Sequence, residues 1–201
     1  MDLNAIGWSP WSISEDGLKG IENVLDNIPF CCDYNIVEFG SGASTLLIEN
    51  FIKESGLTRV RLLSFDNSTR YAAKSNNVVI CPIVHCSDDS FGAVFKNKKY
   101  DPSLFKRNLS KPKSKQKNCF YKITEEYLPD SIDFLIVDGP HGNGRSLAFL
   151  HAKDKLHPGS IVFIDDYDHY DFVEKFSLFH DYDVVLKKWA EKDRFIILKV
   201  I

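Results

Sequence analysis

Five acids in this sequence of 201 residues stand at the ends of apolar runs, and their placement is its first sign of chemistry. Glu38 closes Tyr34 to Phe39, Asp66 follows Arg59 to Phe65, Asp138 follows Ile132 to Val137, and Asp165 and Asp166 follow Ser160 to Ile164. Runs of this length and β-rich character read as buried strands. Ligands of an open α/β sheet bind at the carboxyl ends of such strands, so the five acids line one edge. After Glu38 comes Phe39-Gly40-Ser41-Gly42-Ala43-Ser44-Thr45, where a strand passes into a helix. Its glycines allow a sharp turn and a close backbone approach, and the N–H groups of the helix start face whatever binds there. That is a nucleotide-type site, unless the turn is a tight structural one with no ligand. A dinucleotide fingerprint wants a small residue where Thr45 stands. Asp66, about two dozen residues beyond the turn, is placed to accept both ribose hydroxyls of a nucleoside or else to cap a helix. Asp138, Asp165 and Asp166 end two strands expected to be neighbours, so their carboxylates converge. Converging like charges demand a cation or shared protons, and hard oxygens suit Mg²⁺, Mn²⁺ or Ca²⁺ better than zinc.

The elements that must hold these acids alternate along the chain. Helices are expected over about 15–27, 44–54, 144–156 and 170–179, and strands over 34–39, 59–66, 77–84, 132–137 and 160–164. His157-Pro158-Gly159 reads as a helix terminator, and Pro82 marks the third strand as an edge or a bulge. Tyr182 to Trp189 and Arg194 to Ile201 close the chain as a hairpin around Ala190 to Asp193. Alternation of this kind predicts a Rossmann-like α/β domain: a mostly parallel sheet with right-handed crossovers, helices on both faces and one antiparallel strand from the hairpin.

Length and composition predict one domain across residues 1–201, with hydrophobic content of 44% and charged content of 26%. No apolar run reaches the roughly 20 residues of a membrane span, and Met1-Asp2-Leu3-Asn4 is no secretion signal, so a cytoplasmic protein is expected. The five cysteines follow no zinc spacing and read as reduced thiols. Residues 1–33 read as an N-terminal arm and helix, in which Trp8 and Trp11 either cap a site or pack on the core. The net charge of −3 hides an asymmetry: Phe91 to Lys122 carries ten basic residues against Asp101 alone, leaving −12 elsewhere. That stretch, within residues 91–127, is expected to be an irregular insertion that attracts a local anionic partner rather than nucleic acid in general. A homodimer is open on this reading.

The Glu38-x-Gly40-x-Gly42 turn resembles motif I of the class I S-adenosylmethionine (SAM) methyltransferases, and the likeness covers about residues 34–201. It implies a seven-stranded sheet and SAM binding by Glu38, Gly40, Ser41, Gly42, Ser44, Thr45 and Asp66, with Ser87 and Asp88 near the adenine. The late acids resemble those of the cation-dependent O-methyltransferases, which implies Asp138, Asp165 and Asp166 as ligands of Mg²⁺ or Mn²⁺; the Asp-Asp pair departs from the usual Asp-Asn. His141 falls where that family places the base that deprotonates the acceptor hydroxyl, a role suited to a side chain titrating near neutrality. It is also open to being a turn residue or a fourth ligand. Val137-Asp138-Gly139-Pro140-His141-Gly142, Gly144-Arg145 and the later Phe172-Val173-Glu174-Lys175-Phe176 resemble the polysaccharide O-methyltransferases of the glucuronoxylan type. On that likeness Arg145 clamps an anionic acceptor, unless it is a helix-start salt bridge; His169 is open to being a second acceptor contact or a solvated loop histidine. The expected function is methyl transfer from SAM to a saccharide hydroxyl, with a small phenolic acceptor as the alternative. A different class is a nucleotide-binding module that docks an anionic partner and stacks it on Phe105, Phe120 or Tyr121. A Rossmann oxidoreductase is disfavoured by Thr45 and by the closing hairpin.

Overall fold

Along the centre of the chain, apolar residues alternate between the two faces of a sheet that is buried on both sides, as parallel sheets are. The computed structural model describes residues 13–29, 31–107, 117–190 and 193–201. Its elements are α1 (Glu15–Leu25), β1 (Tyr34–Phe39), α2 (Ala43–Glu54), β2 (Val60–Asp66), β3 (Val78–Ile80), β4 (Ile83–His85), α3 (Asp88–Lys96), β5 (Lys106–Arg107), β6 (Cys119–Tyr121), β7 (Ile132–Val137), α4 (Leu147–Ala152), β8 (Leu156–Asp165), α5 (Phe172–Phe176), β9 (Tyr182–Ala190) and β10 (Asp193–Val200). Seven strands form one sheet in the order β3-β2-β1-β7-β8-β10-β9. Only β10 runs against its neighbours, β8 and β9; the remaining pairs are parallel. The chain reverses its direction of winding between β1 and β7, and that is where such a sheet opens a ligand crevice.

One face of the sheet packs Ile36, Leu62, Phe134, Ile136, Phe163 and Phe195 against α1 and α2. Ser14 starts α1 by accepting a hydrogen bond from the Gly17 N–H at 3.1 Å. The other face packs Val37, Phe39, Phe65, Leu135, Val137 and Ile164 against residues of α3, α4 and α5, among them Phe95, Phe149 and Phe176.

Three expectations from the sequence are corrected. The 77–84 run is two strands, because Pro82 has no N–H to give a ladder. β3 stays beside β2, while β4 leaves to pair with β5 and β6 in a separate three-stranded sheet. The Lys-rich insertion is not irregular where it is described: α3, capped by Ser87, buries Phe91, Val94 and Phe95, and β5 and β6 frame β4. Lys111, Lys113 and Lys115 lie outside the described residues, as do Trp8 and Trp11 and part of the expected turn from Ala190 to Asp193. Finally, the helix after β7 is short, a 3₁₀ turn at Asn143–Ser146 followed by α4. His157-Pro158-Gly159 does not end a helix but lies inside β8, where the register with β7 shifts between Ile132 and Phe134. Ser160 closes that irregularity, accepting from the His157 N–H at 2.9 Å and donating to the Ile132 carbonyl at 2.7 Å.

One buried polar group sets a pH limit. His151 on α4 stacks on Phe120 and meets Tyr100 at a tilt, with ring centroids 5.5 Å and 4.3 Å away, and neither ring nitrogen has a hydrogen-bond partner among the described residues. Burial pushes its pKa down to about 3. An unfolded histidine titrates near 6.5. Above that pH both states are neutral and nothing is lost. As pH falls from 6.5 toward 3, the unfolded chain takes a proton that the native state refuses, and stability drops. His151→Phe should therefore lose about 2 kcal/mol less than wild type between pH 7 and pH 5, measured by urea unfolding.

Candidate active site

At the switch point the ends of β1 and β7 meet through bare backbone. The Phe39 carbonyl accepts from the N–H groups of Asp138 at 2.9 Å and Gly139 at 2.6 Å, while the Gly40 N–H donates to the Phe65 carbonyl at 2.9 Å. Gly40 has φ +97°, and a Cβ there would stand 2.6 Å from the Gly139 nitrogen. A Cβ on Gly139 would stand 2.8 Å from the Gly40 Cα. Above this floor the crevice is open, since a Cβ on Gly42 would meet nothing within 4 Å.

Glu38 lies beneath the turn, fully buried, and accepts hydrogen bonds from the hydroxyls of Ser44, Thr45 (2.5 Å) and Ser64 (2.6 Å). Burial pushes its carboxyl up to about 7 against the pull of those three donors. Thr45 also accepts from the Gly42 N–H at 3.0 Å, so the hydroxyl that departs from the dinucleotide pattern ties turn, helix and strand together. Asp66 rises beside the crevice from β2. One carboxylate oxygen accepts from the Ser41 N–H at 3.1 Å and hydroxyl at 3.2 Å, the other from the Ser68 N–H at 2.8 Å. Carboxylate oxygens have further lone pairs, so a ribose can still be held.

On the far side, Asp138 and Asp165 bring their carboxyl groups into hydrogen-bond contact. Burial raises both, and Asp165, with Asp138 adding to it, is pushed up to about 8. The pair therefore holds a shared proton near neutral pH. Arg145 is the cation beside it: its side chain is 6% exposed, with Nη2 3.8 Å from Asp138 Oδ1. Nη1 donates to the Asp165 backbone carbonyl at 2.8 Å, Nε donates to the Pro140 carbonyl at 3.4 Å, and the guanidinium lies 5.7 Å from the Phe172 ring centroid. The salt-bridge reading of Arg145 holds, since it pairs with Asp138 from the turn that leads into α4, and it adds a strut between the loops after β7 and β8.

Asp166 does not join that pair. With φ +50° its carboxylate meets Arg194 Nη2 at 3.1 Å and His169 Nδ1 at 3.5 Å. His141 is exposed at the crevice rim, after Pro140. Ser87 and Asp88 lie at the start of α3, just ahead of the insertion. Ser87 caps α3, and Asp88 accepts from Asn118 Nδ2 at 2.6 Å. Asn118 in turn exchanges hydrogen bonds of 2.8 Å and 2.7 Å with Asn143, which docks the insertion on the turn before α4. Phe105, Phe120 and Tyr121 are buried, so the stacking surface expected of a binding module is not formed by them. Tyr121 instead stacks on Phe39 with rings 6.1 Å apart, and its hydroxyl backs Gly139. No signal in so short a strand as Cys119-Phe120-Tyr121 marks it in the sequence. A separate concavity of about 530 Å³, lined by Glu49, Lys53, Arg61 and Asn77 among others, lies between α2 and β2 and away from this chemistry.

A family profile described as a methyltransferase domain matches residues 37–167, a span that runs from β1 through the loop after β8. The chain belongs to the methyltransferase domain family. The fold resembles a putative ribosomal RNA methyltransferase from Plasmodium falciparum (13% identity, TM-score 0.48, 94% of this chain and 97% of that one). It also resembles the O-methyltransferase NovP (15%, 0.45, 92% and 78%) and CalS11, a TDP-rhamnose 3′-O-methyltransferase (13%, 0.42, 90% and 76%). No curated protein sequence matches the chain. Among the described residues of this SAM-dependent methyltransferase no helix is long and apolar enough to cross a membrane. Nor, among them, does any group of three or more His, Cys, Asp or Glu side chains stand ready for a metal ion. The reason is local: Arg145 supplies the positive charge at the Asp138–Asp165 pair, and Asp166 is spent on Arg194 and His169. The expected Mg²⁺ or Mn²⁺ does not fit this arrangement.

Proposed function

We propose that this methyltransferase transfers the methyl group of SAM to a hydroxyl of a saccharide-type acceptor. The observation that carries the reading is the division of the crevice at the Gly40–Gly139 contact. On the β2 side Asp66 and Ser41 offer the acceptors and donors a nucleoside needs; on the β7–β8 side stand an exposed imidazole and a carboxyl pair. Glu38 braces the turn from below, a supporting role rather than a direct contact. In the transfer the acceptor oxygen forms a bond to the methyl carbon, the carbon–sulfur bond breaks, and its electron pair stays on sulfur. His141 takes the hydroxyl proton, and the crevice supplies alignment. No divalent cation enters the proposal, for the reason given above.

Calorimetric titration with S-adenosylhomocysteine tests the cofactor half. Micromolar binding is expected, unchanged by EDTA, and Asp66→Ala should weaken it at least tenfold by removing both acceptor oxygens, while the exposed His141→Ala leaves it intact. Absence of binding to the wild type would sink the reading.

A further inference from the structure

Beyond the crevice the carboxyl edge of the sheet continues to β9, the outermost strand. β9 runs parallel to β8, so Trp189 near its end lies on the same edge as Asp165. Trp189 is 72% exposed, yet its indole N–H donates to Asp168 Oδ2 at 2.9 Å. A tethered indole presents fixed faces to solvent. Around it stand polar groups from the loop after β8 and from β10. Arg194, which pairs with Trp189 across the β9–β10 ladder, has its Nε 3.8 Å from Asp168 Oδ1, buried and without a hydrogen bond. Its Nη2 reaches Asp166, which also meets His169. Tyr170 is exposed nearby in sequence, at the end of the same loop.

We propose that Trp189 is the platform of an outer saccharide subsite, which carries a sugar ring of an extended acceptor away from the ring that is methylated. The inference rests on the saccharide reading of the crevice. A pyranose has an apolar C–H face and hydroxyls around its edge. It therefore needs a flat aromatic surface bordered by donors and acceptors, and a fixed indole with Asp168 and Arg194 beside it is such a surface. The spacing fits a chain rather than a single sugar. β8, β10 and β9 are adjacent at about 4.8 Å each, so Trp189 lies about 10 Å across the sheet from the strand that ends in Asp165. A lone phenol held at the crevice has no use for a second platform at that distance. A second copy of this chain could also cover Trp189, since Val184, Val185 and Leu186 of the same strand are exposed. However, the ladder is irregular between Ile197 and Leu198, opposite Leu186 and Val184, and a bulge of this kind blunts an edge against pairing.

The test compares wild type, Trp189→Ala and Trp189→Phe in the presence of saturating S-adenosylhomocysteine. The probes are xylotetraose, with and without a glucuronic acid branch, and free xylose, followed by ligand-observed NMR. Trp189→Ala should weaken the tetrasaccharides about three- to tenfold. Trp189→Phe should restore most of the affinity, and xylose binding, S-adenosylhomocysteine binding and thermal stability should not move. Tetrasaccharide affinity equal in wild type and Trp189→Ala overturns the subsite and leaves the saccharide reading standing. No tetrasaccharide binding to a wild type that does bind S-adenosylhomocysteine overturns both. A wild-type dimer in sedimentation that Trp189→Ala dissociates assigns the indole to a subunit contact, which also overturns the subsite.

Discussion

Gly40→Ala is expected to lower stability by about 3 kcal/mol and to abolish measurable S-adenosylhomocysteine binding. Two costs add. The residue sits at φ +97°, where a side chain is strained by about 1–2 kcal/mol, and the new Cβ would lie 2.6 Å from the Gly139 nitrogen. The neighbour cannot yield, because Asp138 and Gly139 both donate to the Phe39 carbonyl and Gly40 donates to Phe65. Relief requires the ends of β1 and β7 to part, which displaces the floor of the crevice itself. Gly56→Ala is the control: it also has positive φ, at +64°, but a Cβ there meets nothing within 4 Å. It should cost only the backbone strain and leave binding unchanged. Thermal melts of the two variants, together with calorimetry, separate strain from contact. At about 2–4 °C per kcal/mol for a chain of this size, Gly40→Ala should melt roughly 6–12 °C below wild type. A Gly40→Ala protein that melts with Gly56→Ala and still binds the ligand would show that β1 and β7 do not need the bare contact.

The sheet was legible because its signals are local. β1 and β7 occupy the spans their apolar runs mark, 34–39 and 132–137, and each acid singled out does stand at or beside the carboxyl end of its strand. What escaped depends on residues far apart in sequence. Pro82 redirects β4 toward β6, but nothing near Pro82 says that Phe120 and Tyr121, more than thirty residues on, complete a small sheet there. His157-Pro158-Gly159 has the letters of a helix end, yet β7 captures it through Ser160 and the Ile132 carbonyl. The site shows the same divide. That Asp138 and Asp165 adjoin follows from neighbouring strands, whereas Asp166 turning away follows from Arg194 on β10, a pairing visible only once the closing strands are folded back. Glu38 reads as a ligand contact in the motif, and its seclusion depends on Ser64, which β2 brings beneath the turn.

Arg145→Met is expected to cost about 3 kcal/mol, the lower end of the usual effect of removing one partner from a buried ion pair, because Asp138 itself is 24% exposed. The methionine fills the space of the stem, so the loss isolates the guanidinium. Its removal strips donors from the Pro140 and Asp165 carbonyls and leaves the Asp138–Asp165 pair with no positive charge beside it. The sign of the pH dependence follows. Asp165 is pushed up to about 8 in the fold against about 4 unfolded, so the proton it keeps stabilises the native state; that contribution is full below pH 4 and is lost as pH rises from 4 through 8. Without Arg145 the pair would release that proton even less readily, and alkaline unfolding should steepen. Asp165→Asn should then return part of the stability in the Arg145→Met background while it costs stability in the wild type, a coupling that urea unfolding of the double-mutant cycle reads directly. Arg145→Lys keeps the charge but cannot reach two carbonyls and a carboxylate at once, so it should recover only a fraction. The same set tests the place of the cation. Mn²⁺ titrated into the wild type should remain free by electron paramagnetic resonance, because the guanidinium already holds the charge that a metal would bring. Uptake of one equivalent of Mn²⁺ by the wild type, lost in Asp138→Asn, would reverse that assignment and return the carboxylates to metal binding.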